Sequence, residues 1–230
     1  MQVDIAIAKA NKHTMSVGGD SAEIVERPLG GVTGVVVDGQ GSGKSAKLIS
    51  NLIVGKISTL LADGARDGAI ARAVQDYLFT IKGGKVSATL NMISVALDTN
   101  SLVISRSGHC PVYMVAQGQE CIYDKKTKPL GFYKFSKPQV VELPLIEGTK
   151  LITFSDGLFS AGKKYGKTIG NKEILDVLQK DLSAYEMANS LVDLAMELDK
   201  GRPNDDTTVM AFNITGSKRK IRRVSASYPL

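Results

Sequence analysis

Alternating apolar and polar side chains mark both ends of this chain, and helical periods mark the stretches between its strands. Residues 2–8, QVDIAIA, alternate in the manner of a half-buried strand. Turn residues Gly18, Gly19, Asp20 and Ser21 follow, then a short strand at about 22–27, then Gly30-Gly31. Residues 32–37 are rich in valine, run into Asp38 and predict a buried strand. From Ser42 to Ala62 the period changes. Ala46, Ile49, Ile53, Ile57 and Leu60 recur three or four apart, which predicts a helix with one apolar face. A second helix is expected from a cap at Asp67 to Lys82, ended by Gly83-Gly84.

The segment 85–124 predicts three or four strands broken at Asp98-Thr99-Asn100 and Gln117-Gly118, short links that favour antiparallel hairpins. Strands at 138–143 and 149–155, helices at about 171–181 and 184–199, and a closing strand at 207–214 complete the pattern. The helices come in two pairs with a block of strands between them. This α+β order predicts a four-layer α-β-β-α sandwich, two antiparallel sheets face to face with a helix pair outside each. It bears directly on VVVDGQGSGKS, which is one residue short of the phosphate-binding pattern G-x-x-x-x-G-K-[ST]: Asp38 stands at the first glycine position. Phosphate-binding loops of that kind belong to parallel sheets alternating with helices. A nucleotide-binding protein using Lys44 and Ser45 therefore remains a rival, and its signature would be tight ATP binding lost in Lys44→Ala.

Composition changes this picture little. A chain of 230 residues, 43% apolar, can build one core without disulfides or a structural metal. Its two cysteines, Cys110 and Cys121, lack metal-ligand spacing. The N-terminus carries no signal-peptide pattern and no window is read as a membrane span, so a soluble, cytoplasmic protein with no membrane partner is expected. The net charge of +6 suggests a polyanion partner, but Lys218, Arg219, Lys220, Arg222 and Arg223 account for five of those six charges. The reading is a body at residues 1–214, a basic, disordered tail at 215–230, and no nucleic-acid partner.

The candidate chemistry lies in acids at strand ends. Asp20 sits in GGDS, Asp38 follows VVV, Asp156 follows LITFS, and Asp205 and Asp206 precede TTVMAF. V-V-V-D-G and T-F-S-D-G are one construction used twice. Hard divalent cations such as Mg²⁺ or Mn²⁺ take oxygen ligands, and a two-metal site needs a bridging carboxylate with terminal ones around it. A glycine beside the aspartate, as after Asp38 and Asp156, permits close backbone approach and can offer a carbonyl ligand.

GGDS, VVVDGQGSG, SATL, SGHCPVYMV, KPLGFY, KLITFSDGLFSAGK and NDDTTVMAFNI, in this order, resemble the metal-dependent serine/threonine protein phosphatases of the 2C type. The nearest branch is the bacterial one typified by SpoIIE, RsbU and RsbX, and the likeness runs over about residues 3–214. The resemblance implies hydrolysis of phosphoserine or phosphothreonine in a partner protein by a metal-bridging water. It implies two Mn²⁺ or Mg²⁺ ions and no phosphoenzyme. By position, Asp38 would bridge both metals, with the Gly39 carbonyl on one, and Asp156 and Asp205 would bind the second. Asp20 would complete the site directly or through water, Asp206 is the alternative to Asp205, and Asp38 and Asp156 would be the catalytic pair. A freestanding RsbX-like enzyme acting on STAS-domain proteins of a stressosome-type complex is the further expectation. A catalytically inactive binding module with this fold is the other rival, marked by absence of Mn²⁺-dependent turnover.

Two positions depart from the family. Gln40 stands where the animal and plant enzymes have a histidine proposed as general acid, and no arginine near Asp20 matches their phosphate-binding one. Lys44 is the candidate substitute for that arginine. Ser42, which replaces a histidine of many bacterial relatives, changes no ligand. His109 is expected to be a structural hairpin contact, His13 a surface residue, and Cys110 a core residue. RRVSAS in the tail has the form of a basic-directed kinase site.

Overall fold

The computed structural model describes residues 1–216 and 221–228. The chain runs β1 (Gln2–Ala10), β2 (Ser21–Glu26), β3 (Gly31–Gly39), α1 (Gly43–Ala62), α2 (Asp67–Lys82), β4 (Ala88–Ala96), β5 (Ser101–Ser107), β6 (Val112–Ala116), β7 (Gln119–Tyr123), β8 (Gln139–Pro144) and β9 (Lys150–Phe154). Helices α3 (Gly157–Ser160), α4 (Asn171–Gln179) and α5 (Ala184–Leu198) lead to β10 (Thr207–Thr215). Of the basic tail, Lys218, Arg219 and Lys220 lie outside the described residues, while residues 221–228 are exposed and carry no regular structure.

The strands form two five-stranded antiparallel sheets, ordered β1-β10-β9-β6-β7 and β2-β3-β4-β5-β8. Three apolar clusters fill the three interfaces of a four-layer sandwich. Val36, Ile93, Ile104, Met210 and Phe212 join the sheets. Val35, Val37, Ile53, Ile57 and Val74 sit between the second sheet and α1/α2. Phe154, Ile174, Met187, Leu191 and Val209 sit between the first sheet and α4/α5. In β3, alternate valines serve opposite interfaces, which is why this strand reads as an unbroken apolar run rather than as an alternation. The expected α+β sandwich is the fold observed.

The hairpins expected at 98–100 and 117–118 form, joining β4 to β5 and β6 to β7. Three local expectations are corrected. First, His109 does not lie in a hairpin, because the link 108–111 crosses from β5 in one sheet to β6 in the other, as 145–149 does from β8 to β9. Second, Asp67 does not cap α2. Arg66 takes the cap position, and Asp67 is the first helical residue, its buried carboxylate paired with Arg27 at 3.2 Å and bonded by the Ser94 hydroxyl. Third, α1 is long and apolar enough to cross a membrane by length and composition, contrary to the expectation that no window is. Its residues Ala46, Ile53, Ile57 and Leu61 are buried in the core.

A candidate metal centre

The register of the two sheets fixes where the acids meet. In the first sheet Ala10 at the end of β1 pairs with Thr207 at the start of β10, and Phe154 at the end of β9 pairs with Val209. In the second, Ser21 at the start of β2 pairs with Val37, and Gly39 at the end of β3 pairs with Ala88 at the start of β4. Asp20, Asp38, Asp156, Asp205 and Asp206 sit at those strand ends. All five, with Gly39, Gln40, Ser87, Thr89, His109 and Pro129 among the rest, line one cleft of about 360 Å³.

Each acid is held differently. Asp20 is buried, and its carboxylate accepts from the Thr208 hydroxyl at 2.7 Å. Burial pushes its pKa up to about 6 against the opposing hydroxyls of Ser155 and Thr208. Asp38 is pushed up to about 8, first by burial and then by the charges of Asp20, Asp156, Asp205 and Asp206. Asp205 is also raised, mainly by burial, with Asp156 adding to it. Asp156 holds the N-cap position just before α3, and its side chain is nearly half exposed.

Asp206 has a different role. Its carboxylate accepts from the backbone N–H of Lys12 at 2.8 Å and of Gly19 at 2.6 Å, which pins the β1–β2 connection that carries Asp20. Asp205, in contrast, accepts only from the Asp206 N–H at 3.0 Å among the described residues. This separates the two members of the Asp-Asp pair. Asp206→Ala is expected to lower stability by about 2 kcal/mol through two lost charge-assisted bonds, read in thermal melts. Asp205→Asn is expected to raise the metal-free melt slightly at neutral pH, because burial and Asp156 oppose its charge, and to weaken Mn²⁺ binding in calorimetry.

An all-oxygen, acidic donor set suits Mg²⁺ or Mn²⁺ and not a soft metal. Asp38, raised first by burial and then by its acidic neighbours, is a carboxylate whose charged form needs a cation beside it. As the side chains stand, no three acids, imidazoles or thiolates among the described residues form a ready-made cage for one ion. The arrangement fits an open cleft in which each acid gives one or two oxygens and water supplies the rest.

The remaining candidates fall out by position. Lys44 is exposed and does not line the cleft, so it has no claim on a bound phosphate there. Both strands next to β3 are antiparallel to it, so the loop before α1 lacks the parallel-sheet setting of a nucleotide-binding loop. Cys110 is buried, and burial together with Asp156 and Asp38 pushes its thiol up, which leaves it a core residue. Both cysteines are free.

His109 corrects the sequence expectation. It lines the cleft, with Nε2 3.5 Å from the Asp156 carboxylate. Buried Arg106 holds it there, donating through Nε and Nη2 to the Cys110 carbonyl at 3.0 and 2.6 Å. Gly108, at φ +113°, lets the loop pass against Thr89. Gln40 is fixed by its acceptor end. Its Oε1 accepts from the Ser87 N–H at 2.8 Å, and its own backbone N–H donates to the Ser87 carbonyl at 2.9 Å. The amide NH₂ is thereby the end left for the cleft.

The model of the family described as Stage II sporulation protein E (SpoIIE) matches residues 28–215. The chain belongs to the SpoIIE family of PP2C-type phosphatase domains. Among curated proteins no sequence matches it. Of solved structures, the PP2C phosphatase domain of Bacillus subtilis SpoIIE with a fragment of its regulatory domain is 25% identical, with a TM-score of 0.77. That alignment covers 93% of this chain and 64% of the SpoIIE fragment, so the present chain spans less than two thirds of it. RsbX in complex with magnesium is 19% identical over 93% of this chain and 96% of RsbX, with a TM-score of 0.74. The catalytic domain of the phosphatase PstP in complex with two manganese ions is 18% identical over 93% and 98%, with a TM-score of 0.73. These two likenesses show the shared PP2C fold.

Proposed function

We propose that this SpoIIE-family domain hydrolyses phosphoserine or phosphothreonine in a partner protein, using two Mn²⁺ or Mg²⁺ ions held in the cleft between the sheet ends. The observation that carries this reading is the convergence of five aspartates from both sheets on one cleft. Asp38, the Gly39 carbonyl, Asp156, Asp205 and Asp20 would be the ligands. Bound there, the ions would supply Lewis-acid polarisation of the phosphoryl oxygens and a water acidic enough to attack phosphorus.

The chain's own groups do the rest. Gln40 presents a neutral N–H donor to a phosphoryl or leaving oxygen, and because an amide does not give up a proton, the leaving serine oxygen takes its proton from solvent. Among the described residues lining the cleft, His109 is the single one able to carry positive charge, and it stands beside Asp156 as a second N–H donor. Pre-positioned donors of this kind act where charge develops in phosphoryl transfer. As a finer reading we infer a cytoplasmic enzyme acting on STAS-domain proteins of a stressosome-type complex. Its support is the match to the SpoIIE family model and the fold shared with RsbX.

The test is release of phosphate from p-nitrophenyl phosphate and from a phosphoserine peptide, with Mn²⁺, with Mg²⁺ and with EDTA. Turnover is expected only with a divalent ion. Turnover that persists in chelator would overturn the assignment. A phosphorylated STAS domain tested beside an unrelated phosphoprotein decides the finer reading.

A further inference from the structure

One stretch of the surface is unlike the rest. The connection between β7 and β8, residues 124–138, carries Lys125, Lys126, Lys128, Lys134 and Lys137 against a single acid, Asp124. All five lysines are exposed, and none is in an ion pair among the described residues. Because the body as a whole has almost no net charge, the remainder is acidic by comparison, and the positive field is concentrated here. Phe132, Tyr133 and Phe135 on the same loop are 51%, 40% and 82% exposed. Lys128 lies over the Tyr133 ring at 4.4 Å and Lys134 over Phe135 at 5.5 Å.

This loop is also a wall of the cleft. Pro129 lines it. On one side Thr127 is tied to Gly108, next to His109, by its N–H at 3.1 Å and by its hydroxyl, which accepts from the Gly108 N–H at 2.8 Å. Leu130 exchanges both backbone bonds with Ala88, at 2.8 and 3.1 Å. Beyond it, buried Gln75 of α2 accepts from the Gly131 N–H at 2.8 Å and donates to the Tyr133 carbonyl at 2.6 Å. The loop is thus pinned along one wall of the cleft, with Lys125, Lys126 and Lys128 preceding Pro129 in the chain and the aromatics, Lys134 and Lys137 following it.

We propose that loop 124–138 is the substrate-docking rim, and that it selects phosphorylated segments flanked by acidic residues, with an apolar side chain against Phe132, Tyr133 or Phe135. This rests on the phosphatase reading and names the class of substrate it implies. The argument is charge complementarity joined to reach. A residue whose phosphate enters the cleft carries its sequence neighbours across the rim at about 3.3 Å per residue, so the first few flanking side chains meet these lysines. Five aspartates inside the cleft repel an incoming phosphate dianion, and a basic rim offsets that at a distance and raises the encounter rate.

The test uses the whole chain with Mn²⁺ and two sets of substitutions: Lys125→Glu with Lys126→Glu and Lys128→Glu, and separately Phe135→Ala. The wild type is expected to favour a phosphoserine peptide with acidic flanks over one with neutral flanks by about tenfold or more in kcat/KM, a preference that shrinks as salt rises. The triple variant is expected to lose that preference while kcat for p-nitrophenyl phosphate, read at saturation, stays within about twofold; its kcat/KM falls only at low salt, where the rim steers the dianion. Equal rates on acidic and neutral peptides in the wild type, or a triple variant that keeps the preference, would overturn the proposal. Binding of the unphosphorylated acidic peptide, followed by fluorescence anisotropy, is expected to weaken in both variants. This readout separates failure of the rim from failure of the phosphatase reading, because it needs no turnover. Tighter binding to a single-stranded oligonucleotide or to phosphatidylserine vesicles than to the acidic peptide would overturn it in favour of a polyanion surface.

Discussion

Replacing Asp38 by asparagine is expected to abolish metal-dependent phosphate release, by about 10³-fold or more, and at the same time to stabilise the metal-free protein above neutral pH. The first effect follows from its place at the meeting of both sheets, where in the proposed centre its carboxylate would be shared by both ions; a 10³-fold loss is ~4 kcal/mol of transition-state stabilisation, in the range that Lewis-acid contacts supply. The second follows from proton linkage. An aspartate in the unfolded chain titrates near 4, whereas burial and four neighbouring acids lift Asp38 to about 8 in the folded protein. Between those values the folded state binds more protons than the unfolded one, so raising pH favours unfolding. This contribution is fully present below about pH 4 and gone above about pH 8. Thermal melts in EDTA at pH 5, 6, 7 and 8 should therefore fall steadily for the wild type and less steeply for Asp38→Asn. Added Mn²⁺ should restore the wild type by mass action and leave the variant almost unmoved. Wild-type turnover in Asp38→Asn would place the chemistry elsewhere.

The acids could be seen in the sequence because two requirements coincide at them. A strand that ends on an aspartate followed by glycine is a turn signal and a ligand signal at once, and V-V-V-D-G and T-F-S-D-G gave both. The layering was legible for a similar reason: α1 and α5 keep a helical period, and the strands between the helix pairs run in one block; β4 and β5 are buried along nearly their whole length because each lies between a helix layer and the opposite sheet.

What escaped the sequence depends on partners far along the chain. The links at 108–111 and 145–149 carry ordinary turn residues, and nothing local says whether the next strand joins the same sheet or the facing one. That choice brings His109 from a hairpin into the cleft. Asp67 has the form of a cap, and only the approach of Arg27 and Ser94 from other elements makes it a buried ion-pair member. The rim lysines escaped because summing charge over the whole body cancels five lysines against acids scattered elsewhere.

The second large effect is expected at the glycines beside the acids. A Cβ on Gly157 would lie 2.0 Å from the Asp206 carbonyl oxygen, and one on Gly39 would lie 2.4 Å from the carbonyl oxygen of Ala46 in α1. Both obstacles are backbone, so neither can swing aside as a side-chain tip would. Gly157→Ala must push α3 from the start of β10, which moves Asp156 relative to Asp205 and Asp206. Gly39→Ala must lift α1 from the end of β3, which moves Asp38 and its neighbouring carbonyl. Each change is expected to cost about 3 kcal/mol or more, at the upper end for overpacking, and to lower kcat by about 10²-fold in the protein that remains folded, since a displacement of about 1 Å has that effect on positioned groups. Denaturant titration and single-turnover rates separate the two contributions. Gly118 serves as the control. At φ +76° it has no heavy atom within 4 Å of the place a Cβ would take, so Gly118→Ala carries only the strain of its left-handed backbone and should leave turnover intact. Equal activity losses in all three would mean that the D-G pairs owe their glycines to turn formation alone, and not to the close approach of backbone that assembles the site.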